Sequence, residues 1–425
     1  MQKLLDLRPS KEEFLDLLNS NAHTLGKIFV DDWAELLSEI YGNDISTYPI
    51  CQRKLNIFIN ISWERINIGH WKNVPDGWRI AYSCSRILNA FMHIQPCIDE
   101  INSSALKMAI KDIDMALILG IPIFTGMANK VAKLIQEMLF NLEGSICTSI
   151  RHIQTTIFDV ESVYNLINKK LILLERYSKP SIECFSRLLK VGKPFILTGS
   201  MNSWPAFTSQ EHQWSLYYLS KVAGFRTVPI ELGSKYTDSE WGQKLMTIND
   251  FIKNYILNQN AADKIGYLAQ HQLFLQIPEL FEDLVTPDYC FCCTLEDNNG
   301  EVDSNIWFGP SGTISPLHHD GEKANLLAQI SGSKYVILYT YEQTASLYPC
   351  ADEMLQNTSQ VDAEHPDPSL YPKFEEAFGF HGILNAGEML FIPPSCWHYI
   401  RSLSTSISVN FWWNLDKSLF TDPVL

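Results

Sequence analysis

Residues 313–320 read Thr-Ile-Ser-Pro-Leu-His-His-Asp. Side chains alternate faces along a strand, so an extended reading of this segment points His318 and Asp320 one way and His319 the other. The first two can then share one ion, and His319 cannot. A third ligand must come from elsewhere, and His398 stands in a late β-type segment after Pro393-Pro394 and Trp397. Two imidazoles and one carboxylate on one face leave three coordination positions open, as non-haem iron(II) centres do, whereas zinc closes its tetrahedron or keeps one position free. Taken alone, His-x-Asp also fits a turn with a capping Asp.

The neighbourhood favours a site. Lys334 opens the run Lys-Tyr-Val-Ile-Leu-Tyr at 334–339, just after the turn Ser331-Gly332-Ser333. A lysine carried inward on such a strand needs an anionic partner, and a carboxylate of 2-oxoglutarate would supply one. The plain alternative is a solvated lysine at a strand end. Further short β-type runs lie at 193–199, 305–310, 387–393 and 407–413, separated by Gly and Pro. Many short strands with such punctuation predict a jelly roll or related β-sandwich. Helical stretches at Glu211–Val222 and near Met246–Asn258 decorate it.

From residue 10 to about 170 the period is helical instead. Leu15, Leu17 and Leu18 begin one apolar stripe, and Ile28, Phe29, Trp33, Leu36, Leu37 and Ile40 form another, with similar patterns through Ile80–Phe91, Ala105–Leu119 and Val131–Leu142. The expected class is therefore α+β: a helical N-terminal interaction domain over 1–175, then a catalytic domain over 180–425 whose β core spans about 265–415. His23, His70, His93 and His152 stand singly in the helical part and read as ordinary surface or packed residues.

Composition narrows the partners. With 33 basic and 48 acidic side chains the net charge is −15, which argues against a general grip on nucleic acid and suits basic peptides. The longest apolar run, Met115–Phe124, contains Gly120 and Pro122 and is too short for a bilayer. Ten cysteines without a visible signal peptide predict reduced thiols in a nuclear or cytoplasmic setting. Cys290, Cys292 and Cys293 look like half a zinc site, but no second pair follows at finger spacing.

The segments TISPLHHD (313–320), NLLAQISGSKYVILY (325–339), GEMLFIPPSCWHYIRSL (387–403) and VNFWW (409–413) together resemble the JmjC family of 2-oxoglutarate oxygenases. The resemblance is dense from about 183 to 413 and looser in the helical part. It implies a double-stranded β-helix of the jelly-roll or cupin type, with iron(II) as cofactor and 2-oxoglutarate and dioxygen as cosubstrates. By resemblance, His318, Asp320 and His398 are the metal ligands, and Tyr267, Ser315, Asn325 and Lys334 hold 2-oxoglutarate. The four residues between Asp320 and Asn325 are one more than the family pattern has. Glu231 and Trp307 match a pocket for a substrate arginine, with Tyr236 and Trp241 nearby. Without the resemblance, Glu231 reads as a solvated strand residue and Trp307 as core.

The implied activity is C3-hydroxylation of arginine in basic protein or peptide substrates, with neither nucleic acid nor membrane as a partner. Demethylation of N-methyl-lysine, cleavage of methyl-arginine peptides and a catalytically silent scaffold are the alternatives. No HExxH or Ser-His-Asp signature supports a peptidase, and an intact His-x-Asp…His set with Lys334 speaks against a silent scaffold.

Overall fold

The computed structural model describes residues 1–42, 47–97, 100–146, 170–233, 235–237, 240–258, 264–294, 301–352 and 355–416. Eight α-helices occupy the described N-terminal part: α1 (Gln2–Leu5), α2 (Lys11–Ser20), α3 (Ala22–Leu25), α4 (Lys27–Tyr41), α5 (Tyr48–Asn67), α6 (Asp76–Ile94), α7 (Ser103–Leu119) and α8 (Met127–Glu143). Local chemistry sets their starts. Ser10 and Glu13 form a reciprocal capping box at α2, and Asn102 caps α7 by accepting from the Ala105 N–H. Trp33, Leu36, Leu37 and Ile40 bury one face of α4 as the pattern predicts, but Ile28 is 79% exposed. Five residues separate Ile28 from Trp33, which turns it about 140° off the stripe. Phe29 takes the inward place instead, edge-on to Phe58 and Trp78. Among the described residues, no helix is long and apolar enough to cross a membrane. His152 and the chain from 417 onward lie outside the described residues.

Fourteen strands follow among the described residues: β1 (Leu171–Leu173), β2 (Arg176–Ser178), β3 (Phe195–Thr198), β4 (Thr227–Leu232), β5 (Gly242–Thr247), β6 (Gly266–His271), β7 (Asp303–Gly309), β8 (Ile314–His318), β9 (Lys323–Ser331), β10 (Ser333–Tyr339), β11 (Gly379–Asn385), β12 (Glu388–Ile392), β13 (Trp397–Ser402) and β14 (Ser406–Asn414). They make two sheets, one in the order β1-β11-β10-β13-β8 and one in the order β2-β3-β12-β9-β14-β7-β6-β4-β5. The fold is thus a helical region followed by a cupin-type β-sandwich with helices, the class expected. The sheets draw on residues well before 265. β1, within the stretch read as helical, pairs in parallel with β11, and β2 to β5 extend the larger sheet.

Two helix boundaries differ from the sequence reading. The helix expected from Glu211 begins at Leu216, because Ser215 caps it by accepting from the Tyr218 N–H and His212 is tied sideways to Asp283. The helix expected from Met246 begins at Ile248, since Met246 is in β5 opposite Val228 and Thr247 is the cap. At the β9–β10 corner Gly332 has φ 75°, and a Cβ there would meet the Thr405 carbonyl at 2.2 Å. That corner needs glycine, and it is what aims β10 and Lys334 back across the sandwich.

Candidate active site

β8 and β13 are antiparallel neighbours with His318 directly opposite His398. Cross-strand partners project on one face, so the two rings lie 4.3 Å apart between centroids. β8 ends at His318, however, and Asp320 belongs to the connection into β9. Strand alternation, from which its placement was expected, therefore does not reach it. Side chains from other strands hold it instead: Asn325 on β9 donates to Asp320 Oδ2 at 2.8 Å, and Trp412 Nε1 on β14 donates to the same oxygen at 3.1 Å.

His318 Nε2 lies 3.7 Å from Asp320 Oδ1, and His398 Nε2 lies 3.7 Å from Asp320 Oδ2. Two ligands each at about 2.1 Å from a common ion are at most about 4.2 Å apart, so these separations suit one ion. His318 Nδ1 is 2.7 Å from the Pro316 carbonyl and His398 Nδ1 is 3.0 Å from the Cys396 carbonyl. A carbonyl only accepts, so each Nδ1 carries the hydrogen and each Nε2 presents its lone pair. Burial, helped by the neighbouring His398, pushes the His318 imidazole down to about 4, which keeps it neutral at pH 7. Burial alone would raise the Asp320 carboxyl. The two imidazoles and the Asn325 and Trp412 hydrogen bonds outweigh it and keep the group below its ordinary range. His319 is turned away: its Nδ1 accepts from the Gly321 N–H at 3.1 Å, and its ring meets Trp397 edge-on at 4.7 Å. Among the described residues, His318, Asp320 and His398 form the one cluster with metal-ligand spacing. Cys290 is instead packed in the core of the larger sheet.

A cavity of about 340 Å³, counting its mouth, opens beside these three side chains, and Tyr267, Trp307, Ser315, Asn325 and Lys334 line it too. Lys334 is 2% exposed, and no carboxylate lies within ion-pair distance of it among the described residues. Its ammonium donates to the Tyr267 hydroxyl at 3.1 Å, and burial lowers its pKa to about 7. Asn325 Oδ1 and Asn410 Nδ2 are buried there without a protein partner. A buried cation flanked by hydroxyls and amides fits a small dicarboxylate, and the His-Asp-His face beside it fits a divalent metal.

Of the residues expected to meet a substrate arginine, only Trp307 is in the cavity wall, its Nε1 donating to Asn410 Oδ1 at 2.9 Å. Glu231, Tyr236 and Trp241 stand beside the cavity. Glu231 on β4 is directly opposite Tyr267 on β6 and accepts from Trp241 Nε1 at 3.3 Å. Tyr236 approaches the His318 ring edge-on at 6.4 Å, with its hydroxyl 3.1 Å from Thr358 Oγ1.

Trp412 and Asn410 were not singled out in the sequence. The available signal was Asn410, an amide inside the apolar run Ile-Ser-Val-Asn-Phe-Trp-Trp at 407–413, with Trp412 on the same face by strand parity. Trp412→Phe keeps the ring and removes one hydrogen bond to Asp320. Iron(II) affinity, measured anaerobically by competition with a chelator, is expected to fall about 10- to 100-fold. Unchanged affinity would leave Trp412 as packing alone.

Comparison with known proteins agrees with this geometry. Residues 181–418 match the cupin-like domain family. The chain is 41% identical over 371 residues to lysine-specific demethylase 8 of Danio rerio, covering 86% of this chain and 88% of that protein. It is 38% identical over 360 residues to Jumonji C domain-containing protein 5 of Drosophila melanogaster, covering 84% and 85%. It is 37% identical over 382 residues to lysine-specific demethylase JMJ30 of Arabidopsis thaliana, covering 84% of each. Kinship of this depth, running through the helical part as well as the sheets, makes the chain a member of the JmjC family of cupin-like, iron(II)- and 2-oxoglutarate-dependent oxygenases.

Proposed function

We propose that the chain is a protein hydroxylase that places a hydroxyl on C3 of an arginine side chain. The observation that carries this reading is Glu231, a half-buried carboxylate beside the metal cavity with aromatic rings around it. Burial raises its pKa, and the Trp241 N–H only partly offsets that. A planar guanidinium would pair with the carboxylate and lie against Trp307, restoring the stability of the charged form. Tyr236 feels the negative charge of both Asp320 and Glu231, and Tyr267 feels that of Glu231. The pocket and the metal face therefore share one electrostatic neighbourhood. The net charge of −15 suits a basic peptide around the target residue.

In this reading His318, Asp320 and His398 hold one face of iron(II). Lys334 and Tyr267 receive the distal carboxylate of 2-oxoglutarate, with Ser315 and Asn325 beside them. When bound, iron with 2-oxoglutarate and dioxygen supplies the oxidant that converts a C–H bond into C–OH, with succinate and carbon dioxide as by-products. Glu231 and Trp307 fix the guanidinium so that C3, several bonds back, lies toward the metal, while Tyr236 and Trp241 flank the entry.

A second reading, removal of a methyl group from N-methyl-lysine, is favoured by the names of the Danio and Arabidopsis relatives. Hydroxylation of the methyl carbon would give a hemiaminal that releases formaldehyde. Mass spectrometry of arginine and methyl-lysine peptides after turnover separates the two. Gain of one oxygen on arginine supports the first, and loss of a methylene mass from lysine replaces it. Glu231→Gln is expected to lower kcat/KM on the arginine peptide about tenfold, since a neutral hydrogen bond remains, while peptide-free succinate release persists. Wild-type arginine hydroxylation by that variant would remove the pocket assignment.

A further inference from the structure

Strand β4 ends at the pocket but begins at the helical region. Its six residues pair throughout with β5, yet only Glu231 and Leu232 pair with β6 on the other side. Alternate residues of such a strand turn their backbone groups toward the open side. Pro229 brings no N–H there. Thr227 does, and its partners are side chains rather than a strand. Asp114 of α7 accepts from the Thr227 N–H at 2.6 Å, and Gln276 Nε2 donates to the Thr227 carbonyl at 2.8 Å.

The same carboxylate is the centre of a buried network. Asp114 Oδ1 accepts from Arg226 Nε at 2.9 Å, from Arg226 Nη2 at 2.7 Å and from Gln276 Nε2 at 2.7 Å. Arg226 Nη2 also donates to the Gln276 carbonyl at 2.9 Å, and His271 Nε2 donates to Gln276 Oε1 at 2.8 Å. Asp114 is 0% exposed and Arg226 1%. An ion pair this deep contributes little net stability against apolar packing, so what it fixes is placement. From the polar side chains of α8, Asn129 and Gln136 add hydrogen bonds to the backbone at Leu275 and Phe225.

We infer that Asp114 is a positioning residue for the substrate pocket: helix α7 takes the place of a neighbouring strand at the start of β4 and so fixes Glu231 at its far end. Glu231 is four residues beyond Thr227, or about 13 Å along the strand. Among the described residues, the inner edge of β4 has no strand partner between Thr227 and the Glu231–Tyr267 pair. Tyr267 faces Glu231 across the ladder but is held from its other side as well, by the pairing of β6 with β7, while Lys334, His318 and His398 stand on β10, β8 and β13. Loss of Asp114 should therefore disturb the peptide pocket and spare the metal and cosubstrate sites.

This inference rests on the pocket reading above, and the test keeps the two apart. Asp114→Asn keeps the shape and removes the charge; Gln276→Ala removes the bridge to Thr227 and leaves the Asp114–Arg226 pair. Full-length iron-loaded proteins, matched for folded content by near-ultraviolet circular dichroism, are compared by peptide KM, succinate formed per modified residue, and succinate release without peptide. Positioning gives a peptide KM raised roughly tenfold or more and extra succinate per product, with peptide-free release held within about twofold. Uniform scaling of all three, or no change in any, overturns it. If Asp114→Asn does not fold, Gln276→Ala decides by the same comparison. A wild type that modifies only methyl-lysine overturns the arginine reading alone, and the comparison is then run on that peptide.

Discussion

His318→Ala is expected to lose both iron(II) and turnover, while His319→Ala keeps both. The first change removes one of three groups whose ligand atoms lie within 4.8 Å of one another. It leaves a two-ligand site in which Asp320 has lost one of the imidazoles that favour its charged form. The second removes a ring that faces Trp397 and bonds to the Gly321 N–H. Its cost is packing, about 1 kcal/mol of stability. Elemental analysis of anaerobically reconstituted protein and succinate release measure the two effects, with His318→Ala at background in both. Equal loss in the two variants would mean that the ligand set is displaced by one residue.

Lys334→Met should weaken 2-oxoglutarate binding about ten- to hundredfold, because a charged hydrogen bond of about 1.5–3 kcal/mol is lost while side-chain volume is kept. The wild type carries a pH signature of the same residue. Without an anion, burial holds Lys334 at about 7, so above that pH the amine is mostly neutral. A bound carboxylate favours the ammonium and raises the pKa, so binding above pH 7 takes up a proton. Affinity must then fall as pH rises through 7, by up to about tenfold per pH unit, until the pKa of the bound state is reached. Anaerobic calorimetry in buffers of different ionisation enthalpy reads both affinity and proton uptake. An affinity that is level between pH 7 and 9, with no uptake, would remove Lys334 from the cosubstrate site.

The sheet was legible because β-type runs and turn residues are local signals, and His318, Lys334 and His398 fall within such runs. Asp320 was legible as chemistry but not as geometry. The strand stops two residues earlier, and Asn325 and Trp412, five and 92 positions downstream, hold its carboxylate. A two-residue period carries no information about partners so remote. Ile28 shows the opposite failure: it is apolar and adjacent to a stripe, yet angular position decides burial. Asp114 gave no signal, since an acidic residue within an apolar helix reads as a solvated position until Arg226, 112 residues on, is brought against it.

Each histidine of the candidate metal site bonds through Nδ1 to the carbonyl two places earlier in its own chain segment, Pro316 for His318 and Cys396 for His398. Ring orientation is thus written into two tripeptides, and only the spacing between them depends on the β8–β13 ladder. Such a centre is modular. The long excursion between β10 and β11 meets this centre along one short edge, where Asn357 and Ser359 exchange backbone bonds with His319 and Leu317 and Thr358 bridges to His318. A single residue inserted at 317 or 397 would turn a ring to the opposite side of the sheet. The tolerance of this centre to change in chain length is therefore lowest in those two short segments and in the edge at 357–359 that pairs with the first of them.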